Sequence, residues 1–313
     1  MKRILSIVLV VMLFVMVGCG SEPQVKEQKL SKLTIGLMPD TDSIPFIIAA
    51  EYGYFAEEGL EIELIPFKSA MERDAALQSG SLDGAVSDLL AVIFARSGGF
   101  SVYATSYTDG SYNLVAGGNT DIASAADLRG KEIAISRNTI IEYVTDEILA
   151  VNGVGEKDVS KVVIPQIPVR LEMLQSGNLA AAVLPEPMAS VAEFSGSRYV
   201  TGSGDLGINP GVIVFTDSAI KDKEQSIRAM YRAYDKAANY LNNTPRADYI
   251  DLIMERSGFP GPARDALVLK PYRFAGLPAE KDVDEAVRWV KNKGLAGDYR
   301  YDELVSKLLT EGK

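Results

Sequence analysis

The chain has 313 residues, a formal charge of −10, no histidine and one cysteine, Cys19. So acidic a chain argues against nucleic-acid binding, which needs a basic footprint. Without histidine, and with one cysteine, Ser-His-Asp and Cys-His nucleophilic sites, histidine proton shuttles, the usual zinc sets and any internal disulfide are excluded. No Walker-type phosphate loop occurs, and neither cofactor nor metal is expected.

In chain order, Lys2 and Arg3 precede an apolar run from Ile4 to Val17, broken only by Ser6. That is short for a bilayer span, which needs ~20 apolar residues, and it suits the core of a secretory signal. The run ends in Val17-Gly18-Cys19-Gly20-Ser21, small residues around a cysteine, which resembles the lipobox of bacterial lipoproteins; Met16 stands where that motif usually has Leu. The expectation is a signal peptide over 1–18, cleavage before an acylated Cys19, and a polar tether over 19–30; an uncleaved anchor helix is the alternative. Either way the globular part lies outside the cytoplasmic membrane. Loss of Lys2 and Arg3 takes the charge from −10 to −12.

An internal repeat organises the remainder. Leu77-Gln78-Ser79-Gly80 and the small-residue run to Val86 recur 97 positions later as Leu174-Gln175-Ser176-Gly177 and the run to Val183. In each copy a helix should end at a glycine cap and feed a strand that a neighbouring helix can approach closely. Upstream, the β-type runs Lys32–Leu37 and Lys131–Ser136 each lead into a helix, the first capped by Ser43 and the second by a Thr139/Glu142 capping box. The strands Glu61–Ile65 and Val162–Ile164 follow, and Ser69 with Glu72 forms another box. Each half therefore reads strand, helix, strand, helix, strand, helix.

Two segments read as crossings between the halves: Val102–Tyr107 running into Tyr112–Ala116, and Gly204–Gly211 running into Val212–Phe215. The tail is mainly helical (Ile227–Asn243, Ala247–Ser257, and Lys281–Lys293 with Trp289 on its apolar face). The predicted fold is α/β, two parallel-sheet lobes joined by a two-crossing hinge, with lobe I over 31–107 plus 212–313 and lobe II over 108–211.

Ligands of open parallel sheets bind at the carboxyl ends of strands. Four loops converge there, and helix starts among them favour acceptor or anionic groups. The candidate ligand residues are Asp40, Thr41, Asp42, Ser43, Phe46, Ser87, Asp88, Leu89, Tyr107, Tyr112, Arg137, Asn138, Thr139, Tyr143, Pro185 and Glu186. The plainer readings are helix caps for Asp40, Asp42, Ser43, Ser87 and Asp88, a solvated charge for Arg137, packing for Phe46, Tyr107, Tyr112 and Tyr143, and turn geometry for Glu186. The acidic residues suit an amine- or amide-bearing heterocycle, while Arg137 and the helix starts suit a sulfonate or carboxylate.

Ala50–Ile62 (AEYGYFAEEGLEI), Gln78–Val86 (QSGSLDGAV) and Ala181–Pro187 (AAVLPEP) together resemble substrate-binding proteins for aliphatic sulfonates, nitrate, taurine and thiamine pyrimidine precursors. The resemblance implies a two-lobed periplasmic-binding-protein fold closing on a small molecule, a monomer with an ABC permease as partner, and no catalysis. The histidine-bearing nitrate sites of that family cannot exist here. An enzyme on the same fold and a ligand-sensing module for a membrane receptor are the other classes; the thiamine-pyrimidine synthases of similar outline rely on His and Cys that this chain lacks.

Overall fold

The structure is a computed structural model and describes residues 30–310. The lipobox and most of the tether lie outside the described residues.

The first half builds β1 (Leu33–Leu37), a short 3-10 turn (Thr41–Ser43), α1 (Ile44–Glu51), α2 (Tyr54–Glu57), β2 (Ile62–Pro66), α3 (Ala70–Gln78), β3 (Gly84–Asp88), α4 (Leu89–Ser97) and β4 (Val102–Tyr107). The second builds β5 (Tyr112–Ala116), β6 (Glu132–Ile135), α5 (Ile140–Val151), β7 (Ser160–Val163), α6 (Ile167–Gln175), β8 (Ala181–Pro185), α7 (Met188–Phe194), β9 (Arg198–Gly202) and α8 (Ser203–Leu206). The chain then returns through β10 (Gly211–Thr216) into α9 (Asp217–Asp222), α10 (Glu224–Asn243), α11 (Ile250–Ser257), α12 (Ala263–Ala266), α13 (Glu280–Asn292) and α14 (Tyr301–Leu304).

The strands form two five-stranded sheets, ordered β2-β1-β3-β10-β4 and β7-β6-β8-β5-β9. The repeat is visible in three dimensions. α3 and α6 both end in a glycine of left-handed conformation, Gly80 (φ 77°) and Gly177 (φ 75°), which a side chain would strain. The strands that follow, β3 and β8, are again 97 positions apart and buried along their whole length.

The sheets are mixed rather than parallel, which corrects the expectation. β10 runs antiparallel to β3 and β4, and β5 runs antiparallel to β8 and β9. Each is a crossing strand that starts at the carboxyl edge of the other strands, because that edge faces the other lobe, and so must run against them. Its first residue meets the last residue of its neighbour: Gly211 opposite Asp88, Tyr112 opposite Pro185.

Local capping departs from expectation in two places. Ser43 does not cap α1; it sits in helical conformation behind the 3-10 turn, so its Oγ turns back and accepts from the Met38 N–H at 3.0 Å. The residue with extended backbone at that start is Asp40. In the two capping boxes the serine or threonine does cap, but each glutamate reaches one residue further back. Glu72 accepts from the Lys68 N–H at 3.3 Å and Glu142 from the Asn138 N–H at 2.7 Å.

Two crossings join the lobes side by side. The Thr108 N–H donates to the Gly211 carbonyl at 3.0 Å, Asn209 Nδ2 to the Thr108 carbonyl at 2.8 Å, and the Tyr112 N–H to Ser203 Oγ at 3.2 Å. α13 adds a third link. It packs on α4, while its Trp289 stands edge-on to Tyr143 of α5 with ring centroids 5.8 Å apart. Among the described residues no helix is long and apolar enough to cross a membrane.

Candidate functional site

The carboxyl ends of β1, β3, β6, β7 and β8 face one another, and the lobes are in contact there. The Thr41 N–H donates to the Glu186 carbonyl at 2.9 Å, and the Ile167 N–H to the Lys68 carbonyl at 3.1 Å. Between them lies a cavity of about 30 Å³, walled by Met38, Asp40, Arg73, Ser87 and Asp88 on one side and Tyr112, Ser136, Thr139, Ile141, Arg170 and Pro185 on the other. That is room for one or two waters, so a larger guest enters only when the lobes part.

Of the sequence candidates, Asp40, Ser87, Asp88, Tyr112, Thr139 and Pro185 border this cavity. Asp88 also caps α4, accepting from the Ala91 N–H at 2.9 Å, and its other oxygen stands 3.6 Å from Arg73. Burial raises its pKa, and Arg73 opposes the rise. Asp40 is buried, and that burial, with the neighbouring Asp42 charge, lifts its pKa well above the usual carboxylate range.

Asp42 sits beneath the hinge. Tyr112 donates its hydroxyl to Asp42 Oδ2 at 3.0 Å, and a Cβ at Gly110 would lie 2.3 Å from that oxygen. Gly110 therefore has to be glycine for the forward crossing to pass so close. Burial pushes the Asp42 pKa up to about 6, with the Tyr112 hydrogen bond holding it back.

The remaining candidates lie elsewhere. Thr41 and Glu186 line a groove of about 410 Å³ on the hinge side, with Asp109, Glu193, Asp205 and Lys270. The Glu186 carboxylate is engaged there by Asn113 Nδ2 and Ser190 Oγ, both at 2.7 Å. Arg137 and Asn138 are exposed and line an outer groove of about 500 Å³ between α3, α4 and the β6–α5 loop. Ser43 and Leu89 are buried behind the cavity wall. Phe46 packs edge-on to Tyr234 at 5.5 Å and Tyr143 packs on Trp289, so both serve the core. Tyr107 lies under the Arg273 guanidinium at 3.8 Å and donates to the Phe274 carbonyl.

Two arginines in the wall were absent from the sequence candidates. Arg73 projects from α3 and is charge-paired within its own lobe: its Nε donates to Asp74 at 2.8 Å and its Nη1 to the Val86 carbonyl at 3.3 Å, while Nη2 has no hydrogen-bond partner but lies 2.8 Å from Asp74 and 3.6 Å from Asp88. Burial pulls its pKa down, but Asp74 and Asp88 lift it net upward. Arg170 projects from α6, fully buried, with Nη1 donating to the carbonyls of Ile164 at 2.7 Å and Pro165 at 3.3 Å. Burial alone lowers its pKa to about 9. The signal for both lay in the repeat, since Arg73 and Arg170 are also 97 positions apart, four residues upstream of each LQSG.

Two mixed sheets, two crossings and a cavity at the facing strand ends define a two-lobed periplasmic-binding-protein fold. The profile of the NMT1/THI5-like family matches residues 40–248, and the chain belongs to that family. An ABC transporter periplasmic binding protein of Brachyspira hyodysenteriae is 24% identical over 260 residues, 78% of this chain and 75% of that one. The alkanesulfonate-binding protein SsuA of Xanthomonas axonopodis pv. citri, solved bound to MOPS, superposes with a TM-score of 0.75 at 16% identity, covering 85% of this chain and 94% of that one. The desulfurization enzyme DSZB shares the fold at a TM-score of 0.66 and 14% identity, over 90% and 98% of the two chains.

Proposed function

We propose that the chain is the substrate-binding component of an ABC importer, held at the outer face of the cell membrane by a lipid on Cys19, and that it captures a small organic molecule between its lobes. The observation that carries this reading is the cavity at the facing strand ends, to which both lobes contribute buried polar groups. A guest held by both lobes ties their closure to its own presence, which a carrier needs. The periplasmic binding protein of Brachyspira supports a transport role, the alkanesulfonate-binding SsuA supports a sulfonate-like solute, and family membership keeps a thiamine-pyrimidine precursor in view. The shared fold of DSZB does not by itself separate capture from catalysis; the absence of histidine from the whole chain favours capture.

The test is native mass spectrometry on the domain from Gly20 onward, exposed to a small-molecule extract, with X-ray scattering of the same samples. A small molecule retained unchanged, with a smaller radius of gyration when bound, is expected. Turnover of the retained molecule, or equal radii at saturation, would overturn the reading.

A further inference from the structure

The two copies of the repeat treat their arginine differently. In lobe I, Arg73 has Asp74 at 2.8 Å and Asp88 at 3.6 Å. The positions 97 residues on are Leu171 and Pro185, so the second copy keeps the cation and lacks both of its carboxylates. Arg170 is fully buried, and among the described residues its Nε and Nη2 have no hydrogen-bond partner. A charge left so is costly unless something outside the lobe completes it.

The unused part of the guanidinium has a definite shape. Nη1 is committed to the Ile164 and Pro165 carbonyls, which fixes the plane of the group at the β7–α6 turn. Nε–H and the adjacent Nη2–H form the side-on edge, the fork that receives two oxygens of one acid group. Arg170 borders the interlobe cavity. From these observations we infer that Arg170 is the anchor for an acidic group on the captured molecule, and that the solute is an organic anion of the carboxylate, sulfonate or phosphonate type. The inference rests on the solute-capture reading and gives the solute's charge.

The opposite wall accommodates such a guest. Asp88 is balanced by Arg73, and burial beside Asp42 holds Asp40 toward its protonated form, in which it donates a hydrogen bond. Arg137, the cation singled out from sequence, is exposed in the outer groove and takes no part in this cavity.

The experiment uses methanesulfonate, acetate and methylphosphonate, with methylammonium and acetamide as size-matched cationic and neutral probes, at constant chloride. Unfolding midpoints are followed against probe concentration for the wild type, Arg170→Lys, Arg170→Met and the surface control Arg300→Gln. At least one acid should raise the wild-type and Arg300→Gln midpoints saturably, while methylammonium and acetamide do not. Arg170→Met should weaken that response by about 10- to 100-fold in concentration. Arg170→Lys should weaken it too, since an ammonium has no side-on edge. If Arg170→Met is too unstable to measure, Arg170→Lys alone decides. An unaltered acid response in the Arg170 variants, or no saturable response of the wild type to any acid, overturns the assignment. If methylammonium or acetamide saturates the wild type instead, Arg170 loses its role while solute capture stands.

Discussion

Asp42 shows how one buried carboxyl ties stability to pH. Its pKa rises from 3.8 to about 6 because burial outweighs the hydrogen bond from Tyr112. A carboxyl raised in the folded state binds its proton more tightly there than in the unfolded chain. Its contribution is therefore most favourable below pH ~4 and is lost as pH climbs through about 6. The span corresponds to at most about 3 kcal/mol. Thermal unfolding of the wild type and Asp42→Asn, compared at pH 5 and 7.5, checks this. The variant should lose the part of the acid-side gain that comes from this site, and parallel curves for the two proteins would exclude Asp42 as its source. Asn keeps an acceptor for Tyr112, so the comparison isolates the charge.

At the scale of elements, α13 ties one lobe to the other. Beyond its last turn, Lys293 reaches Asp146 at 2.7 Å, Glu156 at 2.9 Å and Glu142 at 3.2 Å, while Trp289 Nε1 donates to Asp146 at 3.1 Å. Lys161 meets the same three carboxylates from β7. Removing Lys293 leaves two cations' work to one, and Lys293→Met should cost roughly 1–3 kcal/mol. Trp289 is the chain's one tryptophan, so its emission reports on this contact. A lower melting temperature with red-shifted emission is the expected result; an unshifted spectrum would place the cost elsewhere than at the α13–α5 contact. How much of this was legible beforehand differs by element. The repeat, the glycine stops and both crossings could be read because residue type dictates them. Strand direction could not, since β5 and β10 run antiparallel only because of the edge at which they enter. The α13 clasp joins residues up to 151 positions apart, which no local pattern encodes. Arg170 was within reach, had the repeat been extended four residues upstream of Leu174.

For the whole molecule, the proposed anchor and the proposed capture site are separable. Cys19 lies outside the described residues, and Arg73 and Arg170 stand far along the chain from it. Cys19→Ser should therefore release the protein from membranes while leaving acid binding in the purified full-length variant within about twofold of the wild type, a difference of about 0.4 kcal/mol. Fractionation of cells, followed by the probe titration above, checks both halves. A protein still membrane-bound without the cysteine would point to an uncleaved apolar helix instead.

The antiparallel crossing strands also set an order of assembly. All five strands of the second sheet lie between Tyr112 and Gly202, so that sheet has every member once the chain has run that far. The first sheet does not, because β4 joins its neighbours only through β10, which ends at Thr216. A chain emerging from its amino end therefore presents β3 and β4 with bare edges while the later lobe is closing. Such edges invite pairing with other chains. The lobe that begins first is finished last, and the return crossing is the step that ends its exposure.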